Sequence, residues 1–238
     1  MSGSPEAWGA VIVAAGRGER FGRPKQLLDV AGLPLAGWSI QTFAGMAEIV
    51  ELVVATEPAW LEAMQELCAR VAPELRSSVI AGGATRRESA HNGVRAISHA
   101  CDGILIHDGA RPLVRAADVR AAMHEVVPGR GALLGAPVVD TVKIVDARTR
   151  TVVETLERDR LWAAQTPQMA TAADLRRAHD LAARNGSLAT DDAVLLERAG
   201  IEVVIVPASG ENFKVTLPGD IARAEAALRE RDAAEVPR

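Results

Sequence analysis

The spacing of apolar residues alternates between two patterns along the chain, and this alternation predicts the fold class. Short runs rich in β-branched residues, at 10–15 and 49–55, are typical of strands buried on both faces. Between such runs, apolar residues recur every three or four positions, as at 34–44 and 58–71, which predicts amphipathic helices. Strand alternating with helix predicts an α/β fold: a Rossmann-like, mainly parallel sheet flanked by helices.

The alternation continues to the end of the chain and predicts a single domain over residues 1–238. The further elements predicted are strands at 77–81, 103–107, 131–139, 201–206 and 212–216, and helices at 86–100, 116–127, 171–185, from Thr190 as the cap to Gly200, and at 218–231. Ligands bind at the carboxyl ends of the strands in such sheets. We therefore expect the loops after Ala15, Ala81 and His107 to meet at one site.

The pattern changes between residues 138 and 157. Partly alternating segments at 138–145 and 151–156 flank a polar turn at 146–150, which predicts a β-hairpin with no helix to cover it. A two-stranded ribbon is marginally stable alone. We expect this β-arm to find its missing surface on another subunit and to form a homodimer.

Composition narrows the possible partners and locations. The chain has 238 residues and a net charge of −4, which argues against a general nucleic-acid binder. Cys68 and Cys101 are too few for a disulfide framework. Residues 1–5 lack a basic segment, and no apolar run approaches ~18 residues. We expect a soluble, cytosolic protein that neither spans nor binds a membrane.

The loop after the first strand combines glycines with cations: Gly16, Gly18, Gly22, Arg17, Arg20, Arg23 and Lys25. Glycines allow close backbone approach, and N–H groups with cations after a buried strand suit a polyphosphate. A tight turn with a solvated charged flank is the alternative. Phe21 breaks a dinucleotide fingerprint and so disfavours an NAD-dependent oxidoreductase, and Gln26 after Lys25 breaks a P-loop.

Two further segments carry candidate chemistry. Asp108 ends a predicted strand beside the cationic loop, where a carboxylate is a natural Mg²⁺ ligand, although Asp-Gly is also a common turn. His107 fits a hydrogen-bonded core histidine better than a catalytic base. The pair Asp191 and Asp192 could bind a metal, but helix capping is the better interpretation.

The first loop, A-A-G-x-G-x-R-x-G-x-P-K-Q-x-L, resembles the signature of nucleotidyltransferases that join an NTP to a sugar or polyol phosphate. Later segments add G-G-x-x-R-x-x-S at 82–89, P-V-x-D-T-x-K at 137–143, R-x-x-L-W at 158–162, T-P-Q at 166–168 and N-x-K-V-T at 212–216. With them, the chain from Ala7 to Leu228 resembles the 2-C-methyl-D-erythritol 4-phosphate cytidylyltransferases of the non-mevalonate isoprenoid pathway.

This resemblance implies residue roles. The catalytic cations would be Arg20, Lys25, Arg158 and Lys214, and Mg²⁺ would bind Asp108. CTP would contact Ala14, Ala15, Gly16, Arg17, Gly18, Gly83, Ala84 and Ser89. The polyol phosphate would contact Gly109, Arg111, Thr141, Thr166 and Thr190. Thr141 and Arg158 would reach the site from the partner subunit.

The implied reaction is in-line attack of the substrate's 4-phosphate on the α-phosphorus of CTP, with pyrophosphate leaving. Because the nucleophile is already an anion, no general base is needed, which agrees with the lack of a recognisable Ser-His-Asp or Cys-His set in the sequence. Catalysis would then rest on positioning and charge stabilisation. A ribitol 5-phosphate cytidylyltransferase shares most of these segments, and a non-catalytic CTP-binding or regulatory protein is a further alternative.

Overall fold

The structure is a computed structural model that describes residues 3–16, 25–186, 189–208 and 211–235. The strands are β1 Trp8–Ala14, β2 Asp29–Val30, β3 Leu33–Pro34, β4 Ile49–Thr56, β5 Arg76–Ala81, β6 Gly103–Asp108, β7 Arg130–Pro137, β8 Lys143–Val145, β9 Val152–Thr155, β10 Trp162–Thr171 and β11 Glu202–Pro207. The α-helices are α1 Leu35–Ala44, α2 Leu61–Val71, α3 Arg86–Ala96, α4 Ala116–Glu125, α5 Ala172–Arg184, α6 Asp192–Arg198 and α7 Gly219–Glu235.

Seven strands form one mixed sheet in the order β11-β7-β10-β6-β1-β4-β5. The pairs of β1 with β4 and β6, of β4 with β5, and of β7 with β11 are parallel. Strand β10 runs antiparallel to both of its neighbours, β6 and β7. The predicted α/β class with a mostly parallel sheet is therefore confirmed.

Helices cover both faces of this sheet. Successive side chains of β1 point to opposite faces, so they pack under different sets of helices. Ala10 and Ile12 pack into the apolar cluster under α1, α2 and α4. Val11 and Val13 pack into the cluster under α3, α5 and α6. This two-sided burial explains why the β1 run is apolar throughout instead of alternating.

Most predicted helices and strands are confirmed, with shifted ends. Of the predicted helix at 58–71, the first turn is a 3-10 helix at Pro58–Trp60, and α3 ends at Ala96, four residues before the predicted end. Thr171 caps α5 by accepting from the Asp174 N–H, as its capping pattern predicts.

Three sequence predictions about secondary structure are wrong. The strand expected at 212–216 does not form; one backbone bond, from Val215 N–H to the Ala110 carbonyl, ties that segment to the β6 loop. Thr190 does not cap the next helix, because Asp191 is the cap and accepts from the Val194 N–H. The antiparallel strand β10 is missing from the elements that the sequence predicts.

The β-arm is a two-stranded sheet of β8 and β9, shorter than the predicted hairpin and separate from the main sheet. Every residue of both strands is exposed. Val139 is 82% and Val153 is 69% exposed, so the arm presents apolar side chains that the described part of this chain does not cover. Among the described residues, no helix has both the length and the apolar character needed to cross a bilayer.

Candidate active site

A cavity of about 620 Å³ lies at the carboxyl ends of β1, β5 and β6, where the three predicted loops meet. Its walls include Val13, Ala15, Gly16, Lys25, Gln26, Glu57, Pro58, Gly82, Gly83, Ala84, Thr85, Arg86, Ser89, Asp108, Ala110, Lys214 and Thr216. The expectation that the loops after Ala15, Ala81 and His107 form one site is confirmed.

The turn between β5 and α3 is held rigid by its own side chains. Ser89 Oγ accepts from the Gly83 N–H at 3.0 Å, and Glu88 Oε2 accepts from the Ala84 N–H at 2.9 Å. Thr85 Oγ1 caps α3 by accepting from the Glu88 N–H. At Gly82 a Cβ atom would collide with the Ala15 side chain, so this turn and the β1 loop approach each other only because Gly82 lacks one.

Asp108 is the centre of the charged wall. The Arg86 Nε–H donates to its Oδ1 at 2.8 Å, and the Lys214 ammonium donates to its Oδ2, also at 2.8 Å. The Arg111 Nε lies 3.9 Å from Oδ2. Burial alone would raise the pKa of Asp108, but the attraction of Arg86 and Lys214 outweighs it and holds that pKa well below its usual range.

His107 lies behind this wall and is fully buried. Its Nε2 is 3.1 Å from the Arg111 carbonyl, which can only accept, so Nε2 carries the proton and Nδ1 accepts from Thr166 Oγ1, also at 3.1 Å. Thr166 Oγ1 in turn accepts from the Asp108 N–H. Burial lowers the pKa of His107 to about 4, so the ring is neutral near pH 7. The interpretation of His107 as a hydrogen-bonded core histidine fits this geometry.

Lys25 and Lys214 approach the cavity from different segments that are tied to each other. The Lys25 ammonium donates to the Val215 carbonyl at 2.6 Å, and Val215 N–H donates to the Ala110 carbonyl. These bonds fix the 214–216 segment against the loop after β6 without a strand. Asn212 supports the same segment, because its side chain is buried and donates to the Thr166 carbonyl at 2.9 Å.

Arg86 also contacts a second buried carboxylate, on the side away from the cavity. Its Nη1 donates to Asp192 Oδ2 at 2.9 Å, and the Asp192 side chain is only 1% exposed. Asp192 begins α6, and Gln168 Oε1 holds it in place by accepting from the Asp192 N–H at 2.8 Å. Arg86 therefore bridges Asp108 and Asp192, with one nitrogen bonded to each.

With this geometry established, three comparisons identify the family. The family model of 2-C-methyl-D-erythritol 4-phosphate cytidylyltransferase matches residues 9–230. The chain belongs to this family. The enzyme of that name from Prochlorococcus marinus is 39% identical over 220 residues, covering 92% of this chain and 96% of the relative. The one from Halalkalibacterium halodurans is 37% identical over 228 residues, covering 94% and 98%.

A solved structure agrees with the sequence relatives. The crystal structure of 2-C-methyl-D-erythritol 4-phosphate cytidylyltransferase from Thermus thermophilus aligns with a TM-score of 0.73 and 32% identity, covering 92% of this chain and 98% of that one. A member of the 2-C-methyl-D-erythritol 4-phosphate cytidylyltransferase family is a nucleotidyltransferase. The comparisons thus favour this family over the ribitol 5-phosphate enzymes and over a non-catalytic CTP-binding protein.

The cavity brings together many of the family residues predicted from the sequence. Those that line it are Ala15, Gly16, Lys25, Gly83, Ala84, Ser89, Asp108 and Lys214. Ala14, Gly109, Arg111 and Thr166 lie directly behind this wall, next to Asp108 or at the end of β1. Arg17, Gly18 and Arg20 fall outside the described residues.

Thr141, Arg158 and Thr190 are not part of the cavity wall, and all three are exposed. The Arg158 guanidinium donates to the Val139 carbonyl at 3.2 Å, at the base of the arm. Their predicted contacts with the polyol phosphate stay predictions.

Sequence reasoning gave no role to Arg86 or Gln26, although both line the cavity. Arg86 was visible as the arginine of the G-G-x-x-R-x-x-S segment. Its bond to Asp108 could not be inferred, because Arg86 begins α3 and Asp108 ends β6, 22 residues away.

Proposed function

We propose that this chain transfers CMP from CTP to 2-C-methyl-D-erythritol 4-phosphate, releasing pyrophosphate and forming 4-diphosphocytidyl-2-C-methyl-D-erythritol. Membership of the family supports this reaction. The observation that carries it is the cavity itself, because Lys25, Lys214, Asp108 and the turn at 82–89 all line it. That cavity offers positive charge for phosphates and a rigid polar turn for a base.

The turn at 82–89 suits recognition of the cytosine edge, since its backbone is fixed by Ser89 and Glu88. A buried polar group left unpaired costs about 1–3 kcal/mol, so fixed donors and acceptors can discriminate between bases. Ala15 approaches this turn closely, and Ala15 and Gly16, which both line the cavity, would bound the base as well. We therefore expect CTP to be preferred over UTP and ATP.

The reaction joins two anions, so the protein has to offset their repulsion. Lys25 would stabilise the charge that spreads over the α-phosphoryl oxygens, and Lys214 would hold the attacking phosphate. Arg20 and Arg158 would add to these two groups. The attacking phosphate needs no general base. His107 has a pKa of about 4 and both of its ring nitrogens are hydrogen-bonded, so it stays neutral and holds its one proton on Nε2.

Asp108 is the residue that would hold Mg²⁺. It fits as a single carboxylate ligand, because it lines the cavity and each of its oxygens accepts one N–H group and retains a further lone pair. No cluster of three or more His, Cys, Asp or Glu side chains suited to a metal occurs within the described ranges. The phosphates and water would supply the other ligands, and the ion would neutralise phosphate charge.

We also propose a homodimer whose arms complete the acceptor half of each site. The support is the exposed apolar arm, with Thr141 at its start and Arg158 just beyond its end, both outside the cavity wall of their own chain. A two-fold exchange of arms would bury Val139 and Val153 and bring Thr141 and Arg158 to the partner's cavity. The expected cytosolic location stays a prediction.

The test is pyrophosphate release by the purified protein with each pairing of CTP, UTP or ATP with 2-C-methyl-D-erythritol 4-phosphate, ribitol 5-phosphate or other sugar phosphates. We expect the highest kcat/KM for CTP with 2-C-methyl-D-erythritol 4-phosphate. Release with none of the pairs, from folded protein with Mg²⁺ present, would refute the proposed function. Equal kcat/KM for CTP and UTP would refute cytosine recognition alone.

The metal proposal has a separate test. Asp108→Asn should weaken Mg²⁺ binding to the protein–CTP complex, measured by calorimetry, and Asp118→Asn on α4 is the control. Unchanged Mg²⁺ affinity in Asp108→Asn, or normal turnover after chelation, would contradict the role given to Asp108.

A further inference from the structure

Arg86 has no role in the reaction as described so far, yet it makes charged hydrogen bonds to two buried carboxylates. It donates to Asp108 Oδ1 and Asp192 Oδ2, at 2.8 and 2.9 Å. Both carboxylates are buried, with side-chain exposures of 9% and 1%. The planar guanidinium fork suits such a bridge, because its nitrogens are fixed relative to each other.

Lys214 shares Asp108 with Arg86 but is held differently. Its side chain is 38% exposed, against 26% for Arg86, and its one ion pair in the described structure is with Asp108 at 2.8 Å. A lysine ammonium is a point charge on a flexible stem, so it can rotate between partners. Lys214 is therefore the cation of this pair that is able to leave Asp108.

Moving Lys214 away from Asp108 costs free energy, and the cost depends on which counter-ions remain beside Asp108. A buried carboxylate without a counter-ion is strongly unfavourable. If Lys214 moved to a phosphate and Arg86 were missing, Arg111, whose Nε is 3.9 Å away, would be the one described cationic side chain left beside Asp108. With Arg86 in place, Asp108 retains a direct charged hydrogen bond throughout.

We propose that Arg86 is a positioning residue that stays on Asp108 as its counter-ion and thereby frees Lys214 to bind the acceptor phosphate. Asp192 keeps Arg86 in this position from behind, since Gln168 and the start of α6 fix Asp192 itself. This inference rests on the proposed function, because it assigns the freed Lys214 to the phosphate of the second substrate.

The test is a cycle of Arg86→Gln, Lys214→Gln and the double variant, with kcat and both KM values measured. Arg86→Gln should lower kcat/KM for the acceptor by at least about tenfold, as loss of one partner of a buried charge pair does. The dissociation constant of CTP, from calorimetry, should change by less than about threefold, because Lys214 acts on the other substrate. If Arg86 had a merely structural role, Arg86→Gln would weaken the binding of both substrates together.

The double variant decides how Arg86 acts. If Arg86 works through Lys214, adding Arg86→Gln to Lys214→Gln should lower kcat/KM no further than about threefold. If the kcat/KM losses of the two single variants multiply in the double variant, the proposal is wrong. Wild-type kinetics in Arg86→Gln would also overturn it. The matched control is Arg87→Gln, the next residue of α3, whose ion pair is with Glu88 and not with Asp108.

Arg86→Lys keeps the proposal testable if Arg86→Gln does not fold. A lysine preserves the counter-ion on Asp108, so this variant should retain acceptor kcat/KM within about fivefold of wild type. Folded Arg86→Lys protein as inactive as Lys214→Gln would contradict the counter-ion role. If wild-type protein itself releases no pyrophosphate, the proposed function fails, whereas an active wild type with multiplying losses refutes only this inference.

Discussion

The wall around Asp108 and the β-arm at 138–157 differ in how their side chains find partners. In the wall, buried charges are matched within one chain: Arg86 and Lys214 on Asp108, and Arg86 again on Asp192. In the arm, apolar side chains such as Val153 are exposed, and no described residue of this chain buries them. The proposed homodimer turns this difference into a division of the site, with Lys25 acting in its own chain and Arg158 acting in the partner's.

The largest effect is expected where the wall supplies charge to the reaction. Lys25→Ala should lower kcat by at least ~10²-fold, as loss of one transition-state contact does. The control Arg70→Ala removes an exposed cation of α2 that does not line the cavity, and it should leave kcat unchanged. Circular dichroism has to show that both variants fold. A folded Lys25→Ala protein with kcat within a few-fold of wild type would remove Lys25 from the mechanism.

The second prediction compares a buried carboxylate of the wall with an exposed one of the arm. Burial would raise the pKa of Asp192, but Arg86 and His179 lower it. In the arm, hydrogen bonds from Thr149 and Arg148 lower the pKa of Asp146. A carboxylate with a lowered folded pKa stabilises the fold above its unfolded pKa of about 3.9, and that stabilisation is lost as the pH falls towards the folded value.

Asp192→Asn should therefore reduce the free energy of unfolding in urea by about 3 kcal/mol at pH 7, since it breaks a buried ion pair. The reduction should shrink when the same measurement is made below pH 4. Asp146→Asn should change the unfolding free energy much less at either pH. A pH-independent difference for Asp192→Asn would show that its charge does not stabilise the wall.

The same contrast between wall and arm shows what the sequence could predict. The apolar runs of β1 and β4 identified the parallel strands, because both faces of each are buried under helices. Strand β10 gave no such signal: Gln165, Thr166 and Gln168 are buried in it as polar residues. Thr166 hydrogen-bonds to His107 and Asp108. Gln168 bonds to Asp191 and to the backbone N–H groups of Asp192 and Ala193, and such distant partners cannot be read from local spacing.

The site shows a similar division. The glycines and charged residues that follow the strands correctly predicted that Lys25, Asp108 and the turn at 82–89 lie in one site. The sequence did not predict the partners of Arg86, because Asp108 and Asp192 lie 22 and 106 residues away in the chain. Helix capping was the preferred interpretation of the pair Asp191 and Asp192, and Asp191 confirms it. The cap was nevertheless placed at Thr190, because the residue before Asp191 is also a good capping type.

The smallest single-site effect is expected in the arm. Val153→Lys should raise the dissociation constant of the dimer by about tenfold or more, since it places a charge in the apolar surface that the partner would bury. Leu181→Lys changes an apolar residue of α5 that is also exposed, at 40%, and should leave the dimer intact. Analytical ultracentrifugation over a concentration series measures both. Equal dissociation constants for the two variants would place the dimer contact elsewhere.

Complementation between two damaged subunits tests the division of the site most directly. Lys25→Ala and Arg158→Ala proteins are dissociated, mixed in equal amounts and allowed to re-form dimers. Random pairing makes about half the dimers mixed, and each mixed dimer has one intact site if Arg158 acts in the partner's cavity. Pyrophosphate release should then recover to roughly a quarter of wild type from two nearly inactive parents. No recovery, with mixed dimers confirmed by mass, would show that Arg158 serves its own subunit.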